Sequence, residues 1–154
     1  MKSAFDLFRT TRERIYDLAN DMAWEEVNTI PDGFSNSISW NLAHILVTQQ
    51  LLHYKLSGLE MLLDDVFIEK YRKGSKHESA LSKTEWKLSL DLLANLAKRL
   101  EGDYFAGKFV EFQRYPTSYG YELQNIEDAI LFNNIHEALH LGYMMSMRKT
   151  LNSQ

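Results

Sequence analysis

Apolar residues recur at helical spacing in four stretches of the chain, which polar and turn-forming segments separate. The predicted helices cover residues 4–22, 37–57, 82–102 and 126–151. Ser82 followed by Glu85 has the spacing of a capping box at the third helix. Ser3 followed by Asp6 has the same spacing at the first. The pattern predicts an all-α fold, a four-helix bundle.

The connections between these helices are unequal. Residues 59–81 join the second helix to the third, and residues 103–124 join the third to the fourth. Both exceed the roughly 2–8 residues usual between bundle helices, so they have room for short structure of their own. Residues 109–112 could form a brief extended piece. We find no repeat and no domain boundary, which predicts a single domain over residues 1–154.

Composition and charge exclude several classes of protein. The chain is 45% hydrophobic and 25% charged, with a net charge of −4 and no basic cluster, which argues against a nucleic-acid-binding surface. There is no cysteine, so disulfides, thiolate zinc sites and a cysteine nucleophile are excluded. No apolar run approaches the ~18 residues of a membrane span, and the first residues are too charged for a secretion signal. The expected location is cytoplasmic.

Three of the five histidines are predicted to converge. His136 and His140 lie four residues apart on the fourth helix, so their side chains project from one face, which is also its apolar face. Helical rotation places His44 beside Trp40 on the inward face of the second helix. Three imidazoles aimed at one core predict a site for a divalent metal ion.

The other two histidines are predicted to stay outside this site. His53 lies nearly opposite His44 on the second helix, and His77 lies in a connector rich in lysine and serine, where we expect it to be solvated. A single buried histidine is more often satisfied by a hydrogen bond than by a metal. The convergence of three from two apolar faces favours the metal.

Residues 136–140 also match H-E-x-x-H, the zinc-protease motif in which Glu137 would be the general base. Such proteases take their third ligand from downstream, but the 14 residues after His140 contain no His, Glu or Asp. In the extended motif, Tyr143 and Ser146 stand where a glycine and the third histidine belong. The third ligand must therefore come from upstream, which disfavours a protease and favours His44.

Two segments resemble a known family. Residues 36–45, NSISWNLAHI, resemble the second-helix signature of the DinB/YfiT-like superfamily, and residues 136–142, HEALHLG, resemble its fourth-helix H-x-x-x-H-x-G. The resemblance covers nearly the whole chain. It implies an up-down-down-up four-helix bundle with long connectors and a three-histidine metal site, and by position His44, His136 and His140 match its ligands. Tyr143 is a departure, because relatives often carry Gln there.

The resemblance also implies a range of activities, since characterised relatives include metal-dependent S-transferases and isomerases that use bacillithiol or mycothiol. Three neutral ligands leave a metal position open, as in catalytic sites. We therefore expect a metal-dependent thiol S-transferase or a hydrolase, in which a thiol cosubstrate or water attacks a small molecule. Zinc or nickel is the favoured metal, and iron, cobalt, copper and manganese are compatible.

Four further residues are candidates around the metal. Asn41 and Asn133 each precede a histidine by three residues and could hold the distal nitrogen of an imidazole, or simply face solvent. Glu137 flanks the site as an orienting group or a base, although a surface carboxylate is the favoured interpretation. Tyr143 either lines the pocket or packs against a neighbour.

The alternative function is a non-catalytic metal-binding or interaction protein, related to stress. The second helix motivates part of it, because Leu42, Ile45, Leu46 and Leu56 lie away from the His44 face. A helix that is apolar on both sides is buried on both. Either the connectors or a second copy of the chain covers this surface, and a homodimer is the favoured expectation.

Overall fold

A computed structural model describes residues 1–75 and 80–153, and most of them are helical. In chain order the elements are α1 (Lys2–Asn20), α2 (Trp24–Asn28), α3 (Ile38–Gln49), a π-helical continuation of α3 (Gln50–Lys55), α4 (Asp65–Tyr71), α5 (Lys83–Phe105), β1 (Tyr115–Pro116), β2 (Glu122–Leu123) and α6 (Ile126–Leu151). The all-α prediction is confirmed. None of the helices in the two described ranges has the length and apolarity to cross a bilayer.

The helix ends show which local signals were informative. The capping box at α5 is confirmed, because Ser82 Oγ accepts from the Glu85 amide at 3.1 Å and the Glu85 carboxylate accepts from the Ser82 amide at 2.8 Å. The capping box predicted at Ser3 is wrong, since α1 begins at Lys2, two residues earlier than predicted, with Met1 as the N-cap residue. Asp6 instead pairs with Lys2 and Arg9 on the surface of α1.

The long helices form a four-membered arrangement. Helix α1 packs against α5 and α6, and α3 packs against the same two helices. Two side-chain bonds between α6 and α1, from Asn134 to Ala4 O and from Arg148 to Leu18 O, indicate that these helices run parallel. Helix α3 and its continuation also run parallel to α5. Gln49 donates to Leu96 O, and Tyr54, five residues further along the chain, donates to Asp103, which is seven residues further along α5.

Helix α3 is the most enclosed element. Leu42, Ile45 and Leu46 are fully buried within the single chain, where α2 and α4 pack on α3 from the connectors. Three of the four residues that motivated the homodimer are therefore covered within one chain, and the fourth, Leu56, is half-buried.

The connector before α6 holds a small β-hairpin. Tyr115 pairs with Leu123 and Pro116 with Glu122 in antiparallel register, and Gly120 supplies the positive φ of 85° in the turn. Residues 109–112, which could form a brief extended piece, belong to neither strand of this hairpin. Gln113 N, just before the hairpin, donates to Leu56 O at 2.6 Å, which holds this connector against the end of the π-helix.

Candidate metal centre

Helices α3 and α6 bring His44, His136 and His140 together. One ring nitrogen from each lies within 4.8 Å of the others. The Nε2 atoms of His136 and His140 are 3.2 Å apart, and the three ring centroids are separated by 4.5 to 5.3 Å. Among residues 1–75 and 80–153, these three histidines are the group of at least three His, Asp or Glu side chains that lie close enough together to hold one metal ion.

The protonation of His44 is set by a connector. Its Nδ1 lies 2.7 Å from the carbonyl oxygen of Tyr71, the last residue of α4, and a carbonyl only accepts, so Nδ1 carries the hydrogen. The Nε2 lone pair is left for the cluster, with Thr48 Oγ1 3.3 Å away. The Trp40 ring stacks on the imidazole at 4.8 Å and 9°, which fixes its plane.

His140 is held in the same tautomer by Asn41. The amide nitrogen of Asn41 donates to Asn36 Oδ1 at 2.7 Å and to Ser37 O at 2.8 Å, and this fixes which side of the amide is oxygen. Asn41 Oδ1 is thus the acceptor 2.7 Å from His140 Nδ1. The hydrogen sits on Nδ1, and the Nε2 lone pair of His140 points into the cluster.

His136 differs from its two neighbours. Its Nδ1 is buried and has no hydrogen-bond partner in the described part of the chain. Asn133 Oδ1, three residues earlier on α6, is a buried acceptor that also lacks a partner. The two atoms are not hydrogen-bonded to each other, so no hydrogen bond within the described residues fixes the tautomer of His136.

These observations fit a metal ion. Nitrogens bound tetrahedrally at about 2.0–2.1 Å from zinc lie about 3.3 Å from one another. The His136–His140 pair already has this spacing at 3.2 Å. All three nitrogens lie within 4.8 Å of one another, so a shift of no more than about 1.5 Å between any two of them would give this spacing. The lone pairs of His44 and His140, fixed by their hydrogen bonds, and the neighbouring ring of His136 form a donor set of neutral imidazoles for one cation.

Burial keeps these imidazoles neutral. It lowers the pKa of His44, even though the bond to Tyr71 O acts in the opposite direction. Burial, together with repulsion from the other two rings, lowers the pKa of His136 to about 2. Burial and repulsion from His44 lower the pKa of His140 to about 4. At neutral pH, a metal therefore has no proton to displace from these rings.

Glu137 is not at this centre. Its carboxylate is fully buried and accepts from Arg12 Nη2 at 2.7 Å, from Arg12 Nε at 3.0 Å and from Asn133 Nδ2 at 2.9 Å. The favoured interpretation as a surface carboxylate is wrong, because α1 packs on this side of α6 and brings Arg12 to it. Both oxygens are occupied by these bonds, so the motif's glutamate offers no free base to the histidines.

The two remaining candidates, Asn133 and Tyr143, make no hydrogen bond to the cluster within the described residues, and neither does His53. Asn133 bonds to Glu137 rather than to an imidazole. Tyr143 is 39% exposed and packs edge-on against Phe34 at 5.0 Å, away from the cavity described next. His53 is fully buried outside the cluster, with Nδ1 on Gln49 O at 2.7 Å. His77 lies outside the described residues.

A cavity of about 300 Å³ adjoins the histidines. Residues of α3 and its π-helical continuation, two residues of α6, the β-hairpin and the segment after α4 line it: His44, Thr48, Leu51, Leu52, Lys55, Leu56, Lys73, Tyr115, Thr117, Ser118, Phe132 and His136. A larger cavity of about 450 Å³ lies between α1 and α5, but no histidine lines it. The smaller cavity is therefore the one placed for chemistry at the cluster.

Sequence reasoning missed Arg12 and the Tyr71 carbonyl. Arg12 had a signal, because it falls at helical spacing between the apolar Phe8 and Ile15 on the inward stripe of α1. A charge in such a stripe predicts a buried partner. The Tyr71 carbonyl had no such signal in the sequence, because it is a backbone atom of α4, a connector helix that the sequence pattern did not predict.

Comparison with known proteins adds a family. No curated protein matches this chain. The sequence profile described as DinB superfamily matches residues 7–144, a range that contains all three histidines, the asparagine that orients His140 and the connectors that surround α3. A match of this extent covers most of the chain. We conclude that the chain belongs to the DinB superfamily.

Proposed function

We propose that the protein is a metal-dependent enzyme that transfers a low-molecular-weight thiol to a small electrophile, with hydrolysis as the second possibility. The observation that carries the proposal is the hydrogen bonding of His44 and His140. Each donates its Nδ1–H to a fixed acceptor and directs its Nε2 lone pair to one point beside a cavity. Ligands held in this way do not need to reorganise to accept an ion.

A bound divalent metal supplies Lewis acidity, which lowers the pKa of a water or thiol at its open position. We favour zinc or nickel, because an all-imidazole set suits both, and iron, cobalt, copper and manganese remain compatible. The side chains of Leu51, Leu52 and Phe132 line the cavity with apolar surface, which limits the access of bulk water.

The lining favours a thiol over water as the nucleophile. Among its described residues there is no carboxylate, and Glu137 is engaged by Arg12. Water, with a pKa of about 15.7, needs more assistance to deprotonate than a thiol with a pKa of about 8.5. The chain has no cysteine, so the thiol arrives as a cosubstrate. We keep Asn133 as a positioning residue that acts through Glu137, because its amide nitrogen donates to that carboxylate.

A non-catalytic metal-binding protein is the alternative, and the absence of a free carboxylate in the described lining is the observation that favours it. A homodimer, a link to stress and a cytoplasmic location stay predictions. The homodimer has lost most of its original reason, since three of the four residues behind it, Leu42, Ile45 and Leu46, are buried within one chain.

The test is consumption of free thiol by the metal-loaded protein. Bacillithiol or glutathione is incubated with a panel of alkyl halides, epoxides and activated esters, and ester hydrolysis without thiol is followed in parallel. We expect wild type to exceed His136→Ala by at least about a hundredfold with one electrophile. Tyr143→Phe, which changes a hydroxyl outside the cavity, is the control and keeps the wild-type rate. Equal rates for wild type and His136→Ala across the panel would leave the non-catalytic alternative.

A further inference from the structure

We propose that the end of the cavity at Lys55 is a subsite for an anionic group of the substrate. The apolar body of that substrate lies against Leu51, Leu52 and Phe132, and its reacting end meets the histidines. This inference deepens the proposed function, on which it rests for taking this cavity as the substrate site, and it names the substrate class as an anionic, partly apolar small molecule.

The first step is the position of Lys55. It is the last residue of the π-helix, eleven residues after His44, and both residues line the same cavity. At the α-helical rise of about 1.5 Å per residue the separation along the axis is roughly 16 Å at most, because Gln50–Lys55 is π-helical and rises less per residue. Thr48, Leu51 and Leu52 line the wall between them. Lys55 thus marks the end of the cavity remote from the histidines.

The second step is the set of groups that line the cavity together with Lys55. The connector that carries the β-hairpin reaches the residue next to Lys55, because Gln113 N donates to the carbonyl oxygen of Leu56. Tyr115 and Ser118 of the hairpin line the cavity, and their hydroxyls make no hydrogen bond within residues 1–75 and 80–153. An ammonium group and two free hydroxyls are all donors, which suit a carboxylate, a sulfonate or a phosphate.

The third step is the charge of the whole lining. It contains two lysines, Lys55 and Lys73, and no carboxylate among its described residues, in a chain whose net charge is −4. Neither lysine forms an ion pair within the described ranges, whereas Lys70 and Lys108 do. The cavity is thus a positive concavity in an acidic protein, which concentrates anions rather than cations.

The test is calorimetric titration of the full-length protein as purified, with metal content measured on the same samples. The probes share a six-carbon chain: hexane-1-sulfonate and hexanoate are the anions, and hexan-1-ol and hexylamine are the uncharged and cationic controls. We expect both anions to bind at least tenfold more tightly than the controls. Lys55→Gln weakens anion binding about tenfold, equivalent to about 1.4 kcal/mol. Lys87→Gln, an exposed lysine of α5 outside the cavity, changes it by less than twofold.

Titration in the His136→Ala background separates the subsite from the metal. There the anions keep their affinity within about twofold, because Lys55 and not an ion binds them. Anion binding that survives Lys55→Gln, equal binding of the alcohol, or no binding of any probe would each overturn the subsite. Each of these results is independent of the metal content. The metal content, measured on the same samples, tests the proposed function separately.

Discussion

The buried pair of Arg12 and Glu137 is predicted to support the fold rather than the chemistry, and Glu137→Ala tests this. Glu137 is fully buried and Arg12 is 2% exposed. The substitution removes three hydrogen bonds and leaves the guanidinium with two neutral acceptors, Leu93 O and Gln49 Oε1. An uncompensated buried charge of this kind costs about 3–5 kcal/mol of unfolding free energy. For a chain of this size, that corresponds to a fall of roughly 6–20 °C in Tm.

The assay is urea unfolding followed by circular dichroism, with Glu13→Ala, an exposed carboxylate of α1, as the control that changes stability by less than about 0.5 kcal/mol. Replacing both partners, as in Arg12→Met with Glu137→Leu, should recover most of the loss, because no charge is then left buried. Metal content of folded Glu137→Ala stays at the wild-type level. A loss below about 1 kcal/mol, or loss of metal from a stably folded variant, would refute this reasoning and return Glu137 to the site.

Three further outcomes follow from other parts of the structure. Asn41→Leu should weaken metal binding about 10–100-fold in a metal-competition assay, since it releases His140 Nδ1; unchanged affinity would contradict this. Burial lowers the pKa of His53 from about 6.5 in the unfolded chain to about 4. The contribution of neutral His53 to the free energy of unfolding is therefore complete above pH 6.5 and is lost as the pH falls towards 4. His53→Gln should therefore show a flatter pH dependence of unfolding over that window than wild type. Ser82→Ala should cost about 1 kcal/mol in urea unfolding by removing the α5 cap, and no change would contradict it.

The bundle and the histidine cluster were predictable because both depend on short-range periodicity. The i, i+4 spacing of His136 and His140 and the inward phase of His44 follow from helical rotation alone. The Ser82–Glu85 box is equally local. The capping box predicted at Ser3 was wrong because it relied on a local motif alone. Where a helix begins also depends on how the chain packs.

The parts that could not be predicted depend on contacts between distant segments. The Tyr71 carbonyl reaches His44 only because α4 packs on α3, and no pattern in residues 59–81 predicts that contact. Glu137 appeared exposed because the face of α6 that α1 covers was not known from either helix separately. The homodimer was favoured for a related reason, because short connector helices cover α3 in a way that periodicity does not reveal.

The central claim is one divalent metal held by His44, His136 and His140, and elemental analysis of the purified protein tests it most directly. Wild type and single alanine variants are prepared in metal-replete medium, desalted and measured by mass spectrometry against protein concentration. His77→Ala is the matched control, since the sequence places that histidine outside the cluster. We predict about one metal per chain in wild type and His77→Ala, and less than about a tenth in His136→Ala and His140→Ala, each still folded by circular dichroism. Metal-free wild type, or the same metal content in all variants, would contradict the account.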